Sequence, residues 1–187
     1  MNTKNLFILS GPSGVGEDSV IDGLERRFLL ERVVTTTSRD KRRGDSEGHP
    51  YYFVSKEDFE KGIRENKFFE WAKQYNDNLY GVTHEEIRRV TESGRIGIWK
   101  IDYQGVMTVK KLFPDIVAIM LTAPIPIMEA RIRRRDHVTE AFIKERMDYT
   151  REWLKHTDIY DYIIENEEGK LDQTIEKVAA LIENHQL

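Results

Sequence analysis

The sequence contains no cysteine and no apolar run long enough to cross a membrane. Without thiols, the chain forms no disulfides, holds no metal through sulfur and has no cysteine nucleophile. The first residues, "MNTKN", lack the apolar segment of a signal peptide and lead directly into a strand-like stretch. We therefore expect a cytoplasmic protein that has no membrane partner.

The sequence also lacks a strong excess of one charge. It has 29 basic and 33 acidic side chains, mixed along the chain, and a formal net charge of −4 at pH 7. Because no broad basic surface follows from this mixture, we expect no nucleic-acid partner, and any phosphate site must be local. The 187 residues, 39% of them hydrophobic, suffice for one core and a small inserted unit. The sequence leaves the oligomeric state open.

Short apolar segments alternate with amphipathic ones along most of the chain. The segments "LFILSG", "RVVTTT", "IGIWKID", "IVAIMLTA" and "DYIIEN" favour strands, several of them too uniformly apolar to be half exposed. Helical patterns cover residues 18–30, 103–113, 125–135, 139–160 and 171–185. This alternation predicts an α/β protein with a parallel sheet and helices on both of its faces.

The pattern changes between residues 31 and 95, where "YYFVS" and "FFEWAKQYNDNLYGV" carry aromatic residues and alternation. Ser55 before "KEDF", and Thr83 with Glu86 three residues later, are start signals for two short helices. We expect a small mixed α+β subdomain at about 33–95, inserted into a core formed by about 1–32 and 96–187.

The loop "GPSGVG" follows the first predicted strand and precedes a helix, and its pattern G-x-x-x-x-G is complete from Gly11 to Gly16. Such a turn directs backbone N–H groups and the positive end of a helix at phosphates. A lysine and then a serine or threonine should follow, but the chain has Glu17, Asp18 and Ser19. A carboxylate here repels a nucleotide unless it points elsewhere or toward a metal. The alternative is an ordinary Gly/Pro turn.

Together with "TTTSRDKRRGDSEGHPYYFVS", this loop resembles the guanylate kinase family, and the resemblance runs over nearly the whole chain. It implies a P-loop kinase fold with an arginine-bearing lid at about 131–147, and transfer of a phosphoryl group from ATP, with Mg²⁺, to GMP. It also implies that Thr35, Arg39, Arg42 and Tyr51 hold the phosphate of GMP. Arginine forks and hydroxyl groups suit a dianionic monoester. A solvated basic turn is the alternative for this segment.

The segment "FFEWAKQYNDNLYGVT" resembles the part of the family that reads guanine. The resemblance implies that Glu70 accepts hydrogen bonds from the base and that Tyr80 adds a phosphate contact. The family places a small hydroxyl residue directly after the glycine, whereas here Val82 follows and the hydroxyl comes at Thr83. We expect Thr83 to meet the base oxygen; a kinase for another monophosphate is favoured if Val82 faces the base. The alternative to a base-binding role is that Glu70 is only a partly exposed surface acid.

The segment "IGIWKIDYQG" resembles a family strand that ends in two aspartates separated by one residue. Asp102 matches the second, which contributes to GMP binding, but Lys100 replaces the first. Glu17 and Lys100 therefore indicate a reciprocal exchange of acid and base across one site, with Lys100 supplying the missing ammonium. Glu17 or Asp18 would pair with Lys100 or join Ser19 near Mg²⁺. In the alternative, Lys100 forms a salt bridge with Glu17 in a degenerate enzyme.

The resemblance extends to the predicted lid, where Arg131, Arg135 and Arg146 match arginines that close over ATP. It also implies that Asn166 lies near the adenine; the alternative for Asn166 is an ordinary turn residue. The catalytic residues implied are Lys100, Arg39, Arg135 and Arg146. The ATP-binding residues implied are Gly11, Ser13, Gly14, Val15, Gly16, Glu17, Asp18, Ser19, Arg131 and Asn166, with Ser19 also at the metal. The GMP-binding residues implied are Thr35, Arg39, Arg42, Tyr51, Glu70, Tyr80, Thr83 and Asp102.

A binding module is the rival interpretation from another functional class. Domains that resemble guanylate kinases in scaffold proteins keep the fold, lose residues of the phosphate loop and bind phosphorylated peptides. A catalytically disabled module that binds GMP or a phosphopeptide is therefore the alternative to a kinase.

Overall fold

The computed structural model describes residues 3–41, 44–48, 50–73, 77–135 and 138–186. Within these ranges the chain forms two five-stranded sheets with helices packed around them. The elements are, in chain order, β1 (Leu6–Ser10), α1 (Glu17–Leu24), β2 (Leu30–Arg32), β3 (Thr35–Thr37), β4 (Ser46–Glu47), β5 (Pro50–Phe53), α2 (Lys56–Arg64), β6 (Phe68–Lys73), β7 (Leu79–Thr83), α3 (His84–Glu92), β8 (Ile96–Trp99), α4 (Tyr103–Leu112), β9 (Val117–Thr122), α5 (Ile125–Arg135), α6 (Glu140–Trp153), a 3-10 helix (Leu154–Ile159), β10 (Tyr162–Glu165) and α7 (Leu171–His185).

The core sheet has the order β10-β9-β1-β8-β2, and each pair of neighbouring strands is parallel. Its central strand β1 is buried along its whole length because it is covered on both faces. Phe7 and Leu9 pack with α1 and α7 on one face, whereas Leu6 and Ile8 pack with α4 on the other. A strand covered on both faces is apolar at every position, which explains the uniform composition of "LFILS".

The second sheet has the order β4-β5-β3-β7-β6 and mixes parallel with antiparallel pairs. Its helices begin at the predicted caps, since Ser55 accepts a hydrogen bond from the Asp58 N–H and Thr83 accepts one from the Glu86 N–H. Phe59 on α2 stacks on Phe68 of β6 in a small separate core. Residues 35–83 thus have their own sheet and their own apolar cluster.

Three of the expected elements have different boundaries in the structure. The segment "RVVTTT" is not one strand: Val33 donates its N–H to Ile98 O of the core sheet, Val34 donates to the Glu86 carboxylate, and the chain then enters β3 of the second sheet. Helix α1 ends at Leu24 rather than at residue 30, and Leu30 is instead the first residue of β2. The helix expected over 139–160 breaks after α6 into the 3-10 helix, which contains the non-helical His156.

The carboxyl ends of the parallel strands converge where the chain passes from β1 to the glycine-rich loop and from β8 to α4. Ser10 ends β1 and donates its hydroxyl to Ile101 O, 2.7 Å away, just after β8. Ligands of open parallel sheets bind at this edge, beside the central strands. None of the helices in the described ranges combines the length and apolar character that a membrane span requires.

Candidate functional site

A cleft of about 590 Å³ lies between the carboxyl edge of the core sheet and the second sheet. It brings together the glycine-rich loop, the end of β8, the polar strands of the second sheet and one face of α6. The residues that line it are Gly11, Ser13, Gly14, Gly16, Glu17, Asp18, Arg32, Thr35, Arg39, Asp45, Tyr51, Glu70, Ala72, Tyr80, Lys100, Ile101, Asp102, Arg146, Tyr149 and Trp153. We call it the central cleft.

The glycine-rich loop is held in a shape that requires glycine at two positions. Gly14 and Gly16 have φ values of 90° and 92°, a region that other residues rarely enter. A Cβ atom on Gly14 would also lie 2.6 Å from Met128 O. Gly16 caps α1 without a side-chain hydrogen bond, so the first N–H groups of this helix open into the central cleft. This is the geometry of an anion site at a helix N-terminus.

The outer side of the loop is tied down by Asn166 and Arg131. Asn166 is 5% exposed and donates from Nδ2 to Val15 O at 2.7 Å. Arg131 donates to Gly14 O, at 3.3 Å, and to Asn166 O, at 3.2 Å, and it pairs with Glu168 at 2.9 Å. These two residues line a second cleft of about 270 Å³ on the other side of the loop, which exposed Ser19 also lines. Both residues therefore donate hydrogen bonds to backbone oxygens of the loop.

Lys100 follows β8 and turns its ammonium group toward the start of α1. Its Nζ donates to Asp18 Oδ1 at 2.7 Å, so the direct partner is Asp18, one of the two acids expected. The side chain is 36% exposed. Burial lowers the pKa of Lys100, but the negative charges of Glu17 and Asp18 outweigh that effect and raise it overall. Lys100 therefore carries its positive charge at neutral pH.

The second sheet contributes a cluster of donors on the opposite wall of the cleft. Arg39 is 8% exposed, donates to Asp45 Oδ2 at 2.7 Å and lies 5.3 Å from the centre of the Tyr51 ring. The Tyr51 and Tyr80 rings meet edge to face at 5.8 Å, and burial raises the pKa of Tyr51, which stays protonated as a donor. Thr35 lines the same wall. Arg42 lies outside the described residues.

Glu70 is a buried acid in the wall of this cleft, with 6% of its surface exposed. Burial raises its pKa from the ordinary value of 4.5 to about 8, the nearby Asp102 carboxylate adds to the rise, and a hydrogen bond from the Val82 backbone opposes it. Asp102 caps α4 by accepting from the Gly105 N–H and accepts a second hydrogen bond from the Tyr149 hydroxyl, both at 2.9 Å. Glu70 is therefore not an ordinary surface acid.

Thr83 does not join the residues at the central cleft. Its hydroxyl accepts from the Glu86 N–H at 3.1 Å as the cap of α3, and it lines a different depression on the molecule. Successive strand residues point to opposite faces, so Thr83 and Tyr80 on β7 lie on opposite sides. Val82 is fully buried in the core. The structure therefore does not bring Thr83 together with the other predicted residues of the base site.

Helix α6 presents Arg146, Tyr149 and Trp153 to the cleft. Their spacing of three and four residues places them on one face of the helix. The sequence analysis predicts Arg146 but not Tyr149 or Trp153, although this spacing indicates both. The remaining lid arginine, Arg135, ends α5, and its side chain lies outside the described part of the structure.

The sequence analysis also did not predict a chain of buried hydrogen bonds behind the loop, which we call the relay. Trp153 Nε1 donates to the Tyr160 hydroxyl at 2.9 Å, and that hydroxyl lies 3.0 Å from Ser10 Oγ. Because the Ser10 proton goes to Ile101 O, Tyr160 donates to Ser10. The relay joins the end of α6 to the strand ends that carry the loop and Lys100. Because its residues are far apart in the sequence, no local pattern indicates the relay.

Comparison with known proteins identifies relatives along the whole length of the chain. A family profile described as guanylate kinase matches residues 3–185. A guanylate kinase of Rickettsia felis is 37% identical over 187 residues, covering 97% of this chain and 96% of that protein. A guanylate kinase of Haemophilus influenzae is 34% identical over 191 residues, covering 100% and 91%. These matches confirm the resemblance that the motifs indicated.

The fold has a counterpart among solved structures. The crystal structure of guanylate kinase from Anaplasma phagocytophilum aligns with a TM-score of 0.73 at 24% sequence identity, over 97% of this chain and 86% of that one. At this identity the likeness concerns the fold, and it confirms the predicted parallel α/β class.

We predict that Asn166→Ala destabilises the protein. The substitution leaves Val15 O without its 2.7 Å donor and Thr174 Oγ1 without the acceptor at 3.0 Å. Each atom keeps only a longer contact of 3.4 Å, Val15 O with Arg131 and Thr174 Oγ1 with Lys170 O. We therefore expect a loss that approaches the cost of an unmet buried group, about 1–3 kcal/mol. Urea unfolding should show that loss in the free energy of unfolding, with Asn184→Ala on the exposed side of α7 as the matched control. Equal unfolding midpoints for the two variants would contradict the assigned role of Asn166.

We predict that Glu70→Gln stabilises the ligand-free protein at alkaline pH. The folded state holds the Glu70 proton up to about pH 8, whereas the unfolded state releases it near 4.5. Between these values the wild type loses about 1.4 kcal/mol of stability per pH unit relative to the variant. Melting curves at pH 4 and pH 9 should agree at the acid end and diverge at the alkaline end. Glu60→Gln, at an exposed position on α2, is the control. Parallel curves for Glu70→Gln and the wild type would exclude a buried acid.

Proposed function

The chain belongs to the guanylate kinase family, and we propose that it transfers the γ-phosphoryl group of ATP to GMP, with Lys100 replacing the lysine that its phosphate loop lacks. The observation that carries this proposal is the position of Lys100 Nζ, 2.7 Å from Asp18 in the first turn of α1. The positive charge absent from position 17 reaches the loop from the neighbouring strand. The products are ADP and GDP.

The fold explains how Lys100 reaches the loop. Strands β1 and β8 are parallel neighbours with Ile8 opposite Trp99, so the residue after β8 stands beside the chain leaving β1. A partly exposed ion pair such as Lys100–Asp18 contributes only about 0–1 kcal/mol. That energy is too small to keep the ammonium from a β- or γ-phosphate oxygen. The pair therefore keeps Lys100 next to the loop and still allows its ammonium group to bind a phosphate oxygen.

The acceptor side of the proposal rests on the wall formed by the second sheet. Arg39 contributes one guanidinium group, and Thr35, Tyr51 and Tyr80 contribute three hydroxyl groups, to one region of the central cleft. This combination suits the dianionic phosphate of a nucleoside monophosphate. We extend the same role to Arg42. Residues 33–95 are proposed as the monophosphate-binding subdomain, and 131–147 as the lid.

ATP is the proposed donor, together with Mg²⁺. The start of α1 carries the oxygen atoms that Mg²⁺ prefers, on Glu17 and Asp18 at the central cleft and on Ser19 at the second cleft. Nucleotide phosphates would complete the shell of the ion. In that position Ser19 would hold the ion. When bound, Mg²⁺ neutralises charge on the β- and γ-phosphates.

Phosphoryl transfer needs positioning and charge stabilisation more than covalent participation by the protein. Backbone N–H groups of the loop, Lys100, Arg39 and Arg146 supply these, and we propose Arg135 as a further lid contact. Asp102 is proposed to act on the acceptor side, next to Glu70. A cytoplasmic location belongs to the same proposal.

One observation favours the alternative of a disabled binding module. Lys100 is already paired with Asp18, and the loop itself presents carboxylates where phosphates approach. If that pair stays closed, the second-sheet wall still binds the phosphate of GMP or of a phosphopeptide. Turnover distinguishes the two functions.

We predict that the wild type forms ADP from ATP and Mg²⁺ only when GMP is present, and that Lys100→Ala loses about a hundredfold in kcat, or about 2.7 kcal/mol of transition-state stabilisation. Lys111→Ala, an exposed lysine on α4, is the matched control. A Lys100→Ala enzyme as fast as the control would remove Lys100 from the mechanism. GMP binding without turnover in the wild type would establish the module.

An exchange of the two charges tests relocation more sharply. Glu17→Lys alone crowds two ammonium groups, and Lys100→Asp alone leaves only acids, so each should impair kcat. The double variant restores an ammonium at position 17 and an acid at position 100. We predict that it recovers most of the activity lost in either single variant. Additive losses in this double-mutant cycle would contradict a reciprocal exchange.

A further inference from the structure

We propose that Tyr160 is a positioning residue for phosphoryl transfer: its buried hydroxyl acts through Ser10 and Ile101 to hold Lys100 beside the phosphate loop. The inference rests on the proposed function and deepens it, because it names the group that fixes the relocated lysine. Tyr160 is not among the residues that line the central cleft. It therefore acts through other residues rather than on the nucleotides.

Lys100 needs a support because it lies just beyond the end of a strand. Strand β8 ends at Trp99, and the chain then passes through Lys100 and Ile101 to the start of α4. Ser10, the last residue of β1, donates its hydroxyl to Ile101 O at 2.7 Å. This bond ties the segment that carries Lys100 to the strand that leads into the glycine-rich loop.

The Tyr160 hydroxyl fixes the direction of that bond. Trp153 Nε1 can only donate, so Tyr160 accepts from it at 2.9 Å and donates its own proton to Ser10 Oγ, 3.0 Å away. The single hydroxyl proton of Ser10 then goes to Ile101 O. Without the Tyr160 donor, the Ser10 hydroxyl can turn among its staggered rotamers, and its bond to Ile101 O is no longer fixed.

Packing alone does not require a hydroxyl at position 160. Tyr160 is 8% exposed and belongs to an apolar cluster that also contains Trp153, Ala118 and Met120. A phenylalanine ring would supply the same apolar contacts there. A buried hydroxyl costs free energy unless its hydrogen bonds are made. The hydroxyl of Tyr160 is therefore explained by the two polar side chains that it connects.

The relay also links Lys100 to the helix that carries Arg146. Trp153 is the last residue of α6, and Arg146 and Tyr149 precede it on the same face. Tyr149 forms a second link to the segment after β8, through its hydroxyl and Asp102 Oδ2 at 2.9 Å. These two routes hold two cations of the proposed reaction in one frame. A misplacement of about 1 Å in such a frame can lower a rate by about a hundredfold.

The test is a double-mutant cycle on the full chain, with kcat and KM measured for Mg²⁺, ATP and GMP. We expect Tyr160→Phe to lose about tenfold in kcat while the KM for GMP stays within about twofold, because the acceptor wall is untouched. In the Lys100→Ala background, the same change should cost nothing further, because the relay acts through Lys100. Tyr162→Phe, on β10, removes a hydroxyl that lies outside the relay and is the matched control.

Two results of this cycle overturn the inference: losses that multiply in the double variant, and a kcat for Tyr160→Phe equal to that of Tyr162→Phe. A purely structural role would lower the free energy of unfolding in urea and leave kcat of the folded enzyme unchanged. Ser10→Ala removes the last donor of the relay and should reproduce the loss in kcat. It decides the inference if Tyr160→Phe does not fold.

An NMR measurement on the ligand-free protein separates this inference from the proposed kinase. The two ε protons of a held lysine have different chemical shifts, and free rotation averages them. We expect two resolved ε protons for Lys100 in the wild type and one averaged signal in Tyr160→Phe, with the signal assigned by Lys100→Ala. Absence of ADP formation by the wild type would reject the proposed function, and this signal would then decide the inference. A Lys100 signal that Tyr160→Phe leaves unchanged, or that is already averaged in the wild type, overturns it.

Discussion

Position 17, directly after the glycine-rich loop, carries a carboxylate, and a positive charge reaches the start of α1 from another strand through Lys100. The backbone remains suited to an anion, since Gly14 and Gly16 keep their left-handed conformations and the start of α1 opens into the cleft. What the loop lacks is an ammonium group of its own. The 2.7 Å pair between Lys100 and Asp18 brings one there. The donor half of the proposed chemistry depends on that contact.

The contact depends in turn on how the core sheet is ordered. Because β8 lies directly beside β1, a residue that follows one strand is adjacent to the loop that follows the other. The relay from Trp153 through Tyr160 and Ser10 to Ile101 fixes the chain between Lys100 and Asp102. The charge is thus placed by buried hydrogen bonds, while the ion pair itself is weak enough to open.

The acceptor side follows a different principle, since its central acid is costly to ionise. Glu70 is buried beside another carboxylate and holds its proton up to about pH 8. In the proposed function, a base that donates two hydrogen bonds to the Glu70 carboxylate offsets that cost on binding. The same burial makes the site sensitive to the protonation of a single group.

The sequence predicts the sheet, its helices and most of the residues at the cleft, because buried strands, helix caps and a glycine turn are local patterns. It misses features that depend on contacts between distant segments. The division of "RVVTTT" between two sheets follows from bonds of Val33 to β8 and of Val34 to α3. The sequence predicts Thr83 as a helix cap, but it does not predict that the Thr83 side chain lines a different depression from the central cleft. Neither the choice of Asp18 as partner for Lys100 nor the support of the loop by Asn166 is visible before the chain is folded.

A crystal structure with Mg²⁺ and a non-hydrolysable ATP analogue tests the relocation of the lysine most directly. The account predicts that Lys100 Nζ lies about 3 Å from a β- or γ-phosphate oxygen. Its contact with Asp18 is then either lost or kept alongside the phosphate contact. A bound nucleotide whose phosphates contact only the loop, with Lys100 still closed on Asp18, would contradict it.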